Sequence, residues 1–244
     1  MKIQSRKLLL CSLLALSSIA QAVEVPTGTI SVKESVIRTG TFPRISWNII
    51  YPEPEELLEI DELVTISPSG GILPKTDLNM TVRALAADIQ TVEWHQVGRR
   101  WVQRIVYVDV SGFGRVNSEP FRHLFTGTQP EVEDEKVLWT RKLKDGDVLR
   151  FCALTHLGTP AYCTGTSSEN VLVLKNGDIP PSIAGWKDQA SLGTHIAPYL
   201  DSSGAIKIGP RDLIVAYELF FPMPHPSGDL QDMIFLVTFQ HDLD

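Results

Sequence analysis

The chain has 244 residues, 43% of them hydrophobic, enough for one large domain or two small ones. Its 29 acidic residues outnumber 22 basic ones, for a net charge of −7, which argues against nucleic acid or anionic lipid as the main partner. The 16 prolines and 17 glycines are scattered without an internal period, which argues against a solenoid or propeller.

The chain opens on Lys2, Arg6 and Lys7 with no acid among them, followed by the largely apolar run Leu8–Leu16 and the small residues Ser17 and Ser18. Ala20-Gln21-Ala22 then offers the small-x-small pattern that a signal peptidase pocket admits. Residues 1–22 therefore read as a secretory signal peptide cut after Ala22. The apolar core is too short to span a bilayer, which needs about 20 residues. Cys11 lies inside that core, not after it, so lipidation is not expected. Cleavage leaves 19 basic and 29 acidic residues, a net charge of −10. The expected location is the periplasm or the medium, with no stable membrane insertion after cleavage.

The mature chain reads as strand after strand. Thr29–Ile37, Arg44–Ile50, Leu63–Ser67 and Leu78–Ala84 come first, with turn-rich Pro68-Ser-Gly-Gly71 between the last two. Thr91–Val97 and Trp101–Val110 flank Gly98 as a hairpin. Val102, Val106, Val108 and Val110 share one face of the second strand, which predicts a sheet with one buried face. Pro120–Thr126, Lys136–Leu143, Val148–Thr155, Ala161–Thr164 and Asn170–Leu174 continue the series. Short strands with regular turn signals predict a mostly β fold, an antiparallel sandwich that is immunoglobulin-like or elaborated. Residues 23–178 would form that region, as one unit or as two meeting near 88–91.

The composition changes at Ile179-Pro-Pro-Ser182. Ala184–Tyr199 is the best helical candidate, weakened by Gly185 and Gly193. A short strand, Ala205–Ile208, and two apolar strands, Leu213–Phe221 and Met233–Phe239, complete the chain. The last would aggregate at an open edge, so a covered or central place is expected. Residues 183–244 read as a small C-terminal α+β subdomain or cap.

Cleavage leaves two cysteines, Cys152 and Cys163. A hairpin folding about Leu157-Gly158 sets them opposite each other, and an oxidising compartment would join them. A loop that short predicts about 2–3 kcal/mol of stabilisation. There is no CxxC and no zinc-spaced histidine or cysteine.

The chemistry-bearing residues are dispersed. None of the six histidines forms an HExxH or HxH pair; His225, in Pro224-His-Pro-Ser-Gly-Asp229 with Asp232 following, reads as a solvated turn. No GxSxG elbow is present. Glu53, Glu55, Glu56, Glu59, Asp61 and Glu62 form one acidic run, and Glu131, Glu133, Asp134 and Glu135 another. Both fall in predicted loops, where charge is hydrated; calcium is the ion they suggest, with no motif specifying it and no cofactor expected. Asp201-Ser-Ser-Gly204 has its glycine at the wrong offset for an EF-hand and reads as a turn. Trp94 and Trp101 flank the hairpin turn beside Arg99 and Arg100. An exposed tryptophan among arginines can stack on a sugar or anchor a protein, so Arg99, Arg100 and Trp101 are the candidate ligand-binding patch.

Pro198-Tyr-Leu-Asp-Ser-Ser-Gly-Ala-Ile-Lys-Ile-Gly-Pro-Arg-Asp-Leu-Ile-Val-Ala-Tyr-Glu-Leu219, followed by Asp229-Leu-Gln-Asp-Met-Ile-Phe-Leu-Val-Thr-Phe239, resembles the tail of uncharacterised exported bacterial proteins. The resemblance covers less than a quarter of the chain. It implies export and carries over no activity. The functional expectation is an exported, non-enzymatic binding or surface-associated structural module with a protein or glycan ligand. The alternative is an exported hydrolase whose site is dispersed in sequence.

Overall fold

The computed structural model describes residues 27–31, 46–50, 58–133, 135–157, 160–166, 168–183, 190–221 and 223–241. The expected signal peptide, Glu53, Glu55, Glu56, Asp134 and the first part of the predicted helix, 184–189, lie outside them. The chain divides into two compact units, Met1–Pro54 and Glu55–Asp244. In the first, β1 (Thr27–Ser31) pairs antiparallel with β2 (Ser46–Ile50), Thr29 opposite Asn48.

The second unit is built almost wholly of antiparallel strands. After a single turn of helix, α1 (Ile60–Leu63), come β3 (Val64–Ile66), β4 (Ile72–Pro74), β5 (Leu78–Ala86), β6 (Ile89–Val97), β7 (Arg100–Val108), β8 (Val110–Val116), β9 (Arg122–Gly127), β10 (Trp139–Leu143), β11 (Leu149–Thr155), β12 (Tyr162–Cys163), β13 (Val171–Lys175), β14 (Asp212–Tyr217) and β15 (Met233–His241). One sheet runs β10-β5-β15-β14-β13; the other runs β3-β4-β11-β8-β9 with β12 on β11. A third pair, β6-β7, hydrogen-bonds only to itself among the described strands.

The two larger sheets face each other across one core. Phe235 of β15 lies 5.9 Å from Phe151 of β11 and 6.3 Å from Tyr217 of β14, ring centre to ring centre, and all three are fully buried. Two glycines of β8 set the spacing. A Cβ on Gly112 would collide with the Phe235 ring, and one on Gly114 with the Trp139 indole. Glycine therefore makes a strand of Ser111-Gly-Phe-Gly-Arg115, a stretch whose composition reads as a break.

The nearly continuous apolar run of β15 has the expected central place, between β5 and β14. Met233, Phe235, Val237 and Phe239 enter the core between the sheets, while Ile234 and Leu236 enter a second cluster on the outer face. That outer face is covered by Leu192, Ile196 and Ile206 from the segment leading to β14. Burial on both faces is why period-two alternation is lost there. The covering segment departs from the predicted helix. It has one α-turn, α2 (Leu192–His195), then a 3-10 turn, Ala197–Tyr199. Gly193 and Pro198 deny it the regular backbone of a longer helix. The predicted strand at Ala205–Ile208 is a single bridge, Leu200 to Ile206. Asp88, at the end of β5, holds this cover by a 3.1 Å contact to His195. Burial opposes ionisation of Asp88, but the hydrogen bonds from His195 and Gln90 and the charge of His195 outweigh it and hold the carboxyl below its ordinary value.

Cys152 and Cys163 are cross-strand partners in the β11–β12 register and form a disulfide with their Cα atoms 4.1 Å apart. Among the described residues no helix is long and apolar enough to cross a membrane.

Candidate functional site

The pair β6–β7 is a hairpin of two nine-residue strands, an arm about 30 Å long at the usual rise per residue. Its loop is two residues, Gly98 and Arg99, with Gly98 at φ 62°. A positive φ at the first loop position alone matches the twist of a tight hairpin and favours glycine there. The arm grows from the seam of the sandwich: β6 follows β5 of one sheet, and β7 leads into β8 of the other. Ile89 and Val108 are buried at its root, and burial fades toward the turn.

The expectation of one buried face holds only toward the root, where Val108 and Val110 are buried and Val106 is half-buried, and fails along the outer arm. Val102 is exposed, and so is every residue from Val97 through Ile105. Alternation reports that two faces differ, not that one is covered. One face carries Arg100, Val102 and Arg104 of β7 opposite Val97, His95 and Glu93 of β6. His95 Nε2 lies 3.2 Å from Glu93 Oε2 there.

The other face has a repeating order. Trp101 stands opposite Gln96, Trp94 opposite Gln103, Ile105 opposite Val92, and Tyr107 opposite Gln90. Each aromatic ring on this face thus has a glutamine as its direct cross-strand neighbour. Trp101, Trp94, Ile105 and Tyr107 are 62, 59, 61 and 47% exposed. From Trp101 to Tyr107 the strip is about 20 Å long. Of the predicted patch, Trp101 lies on this strip, Arg99 in the turn and Arg100 at the first position of β7, turned to the opposite face; all three are exposed. Trp94, named with the turn but left out of that patch, joins Trp101 on the strip, and Ile105, Tyr107 and the glutamines are members that residue type alone does not single out.

At the arm's root the strip meets a cavity of about 200 Å³. Gln90 and Val92 belong to both, and the remaining walls include Phe220, Phe221, Glu218, Asp229 and Asp232. The three carboxyls are buried, each offering an oxygen within 4.8 Å of the others. Their hydrogen bonds are local. Glu218 Oε1 accepts from the Phe220 and Phe221 amides at 3.1 and 3.0 Å, and Oε2 from the Asp229 and Leu230 amides at 2.9 and 3.4 Å. Leu230 provides its amide from a left-handed backbone, φ 55°. Asp232 Oδ2 accepts from the Leu219 amide at 2.5 Å. Burial pushes Asp232 well above the ordinary carboxylate range, reinforced by the negative charge of Glu218 and Asp229 and by a hydrogen bond to Glu218. Asn170 ties the same loop, donating to the Glu218 and Phe221 carbonyls and accepting from the Met223 amide. Both Glu218 oxygens are occupied by main-chain donors, so the cluster reads first as the clasp of the 218–232 loop.

The turn containing His225 places that ring flat against Phe221, centroids 4.5 Å apart, with its Nδ1 accepting from the Ser227 amide. Asp229 and Asp232 meet Glu218 instead. The signal for Glu218 was an acid closing the apolar run Leu213–Tyr217. Among the described residues the acidic runs are engaged within the protein: Glu59 and Glu62 form the capping box of α1, and Asp61 pairs with Lys175. Glu131 accepts from the Thr128 amide, Glu133 pairs with Lys136, and Glu135 pairs with Arg83. Asp201 closes a turn by accepting from the Ser203 hydroxyl and the Ser203 and Ala205 amides. No family model, curated protein or solved structure matches the chain.

Proposed function

We propose that this is an exported binding module that holds a polysaccharide on the strip of the β6–β7 arm. One observation carries the reading: aromatic rings, each facing a glutamine across the strands, exposed together on a hairpin that pairs with no other described strand. A pyranose offers an apolar C–H face and a rim of hydroxyls. Ring faces take the first, and amides donate to and accept from the second. Large aromatics left in water form an apolar patch of the kind that marks binding surfaces. The disulfide and the basic, apolar, small-residue order of the first 22 residues support export to an oxidising space.

The test is retardation of the purified protein in native gels cast with soluble polysaccharides. Retardation by at least one polymer, lost in Trp94→Ala and Trp101→Ala with folding intact, is the expected outcome. No retardation across a broad panel would remove the reading. Edman sequencing of the protein recovered from the periplasm or medium should begin at Val23.

A second reading, an exported glycoside hydrolase, has its own observation: the strip runs into a cavity where the raised carboxyl of Asp232 stands beside Glu218. A buried carboxyl whose proton is held more tightly than usual, beside a second carboxyl, is what glycosidic cleavage can use. The four amides on Glu218 favour the clasp. Release of reducing ends from a bound polymer, abolished in Asp232→Asn, would decide for the hydrolase.

A further inference from the structure

The strip explains how a sugar ring would be gripped but not what distinguishes one polymer from another. The charge of the arm addresses that. Between Ile89 and Val108 the chain carries Arg99, Arg100 and Arg104 against the single acid Glu93. The mature protein as a whole is acidic by ten charges, so the arm is a basic projection on an acidic body. Arg99, Arg100 and Arg104 are exposed and make no ion pair with a carboxylate among the described residues. An unpaired guanidinium is a ready fork for a carboxylate or sulfate. The arm's length matters too. Its tip extends about 30 Å from the root, several times the screening length of roughly 8 Å at physiological salt. The negative body therefore does not cancel the field at the tip.

Resting on the polysaccharide reading above, we propose that the ligand is an anionic polysaccharide, uronate- or sulfate-bearing. It lies along the strip with ring faces on Trp101, Trp94 and Tyr107. Its acid groups meet Arg99 at the turn directly, while Arg100 and Arg104, on the opposite face of this two-stranded arm, reach them around the edge of β7, which has no hydrogen-bonded neighbour beyond β6 among the described strands. Arginines at one end and the carboxyl-lined cavity at the other also give the strip a polarity.

The experiment compares polygalacturonate, alginate and hyaluronate, each against its methyl-esterified form, and a sulfated glycan against its desulfated form. Binding to the purified protein is read at low and at high salt. At least one acidic polymer should bind, with affinity falling about tenfold on neutralising the polymer, the size expected for two or three exposed ion pairs. High salt should give a similar fall. Arg99→Ala/Arg100→Ala should bind the acidic polymer as weakly as the unaltered protein binds its neutral form, with an unchanged melting curve. If neutral and acidic forms bind alike, or the double variant binds the acidic polymer undiminished, the anionic assignment is wrong and the polysaccharide reading stands. If none of the polymers binds and the arm instead captures a protein through Trp101, both fall together.

Discussion

The pairs β5–β15 and β6–β7 have strands of the same length, nine residues each, joined antiparallel, and stand in opposite environments. In the first, β15 is apolar on both faces and buried on both, by the facing sheet and by the 190–208 cover. In the second, comparable ring and aliphatic content stands in water on an arm whose root, among the described residues, is buried at Ile89 and Val108. The body is held by long-range packing, the arm by its register, its turn and cross-strand neighbours. If the arm binds a polymer as proposed, stability and recognition lie on different strands, and substitutions should separate them.

The largest effect should come from the body. Phe235→Ala removes a ring packed on Phe151 and Tyr217 and leaves a cavity, with an expected cost of about 3–5 kcal/mol. Chemical denaturation should show it, while polymer affinity measured on the folded fraction stays put. A drop in affinity as large as the drop in stability would break the separation. Replacing Cys152 and Cys163 together by alanine opens a short loop and should cost about 2–3 kcal/mol, again without touching affinity.

The third effect is a slope against pH. Because burial raises the folded-state pKa of Asp232, its contribution to stability is fully present below the ordinary carboxylate value and is lost as pH rises through the raised one. Asparagine keeps an acceptor for the Leu219 amide and carries no charge. Asp232→Asn should therefore match the unaltered protein in acid and gain on it as pH rises; melting curves at stepped pH check this, and parallel curves would refute it. The smallest stability effect is at the arm. Trp101→Ala should move the melting transition by less than about 0.5 kcal/mol while removing polymer binding. A large loss of stability there would mean that the ring supports the body after all.

Legibility followed the same division. Alternation placed most strands of the body, and the unbroken Met233–Phe239 run announced a central strand. The Cys152–Cys163 spacing matched its cross-strand register. Three features were illegible for physical reasons. Gly112 and Gly114 look like breakers until Phe235 and Trp139 arrive from the other sheet to fill their place. The cover over the outer face reads as one helix, Ala184–Tyr199, but within its described part Gly193 and Pro198 leave only short turns. The carboxyl clasp joins Glu218 to Asp229 and Asp232 by a loop closure that spacing does not encode. On the arm, residue order placed Trp101 and the arginines together but could not say that both faces are wet, because a period of two is the same for a half-buried strand and for an exposed one.

The arm's two roots are interior strands, β5 flanked by β10 and β15, and β8 flanked by β11 and β9. A tug on a tethered polymer would thus be delivered to both halves of the sandwich at once, across full ladders of hydrogen bonds loaded in shear. No frayed border is offered for peeling. If the arm holds a polymer as proposed, pulling single molecules by Arg99 should rupture the attachment before the sandwich yields.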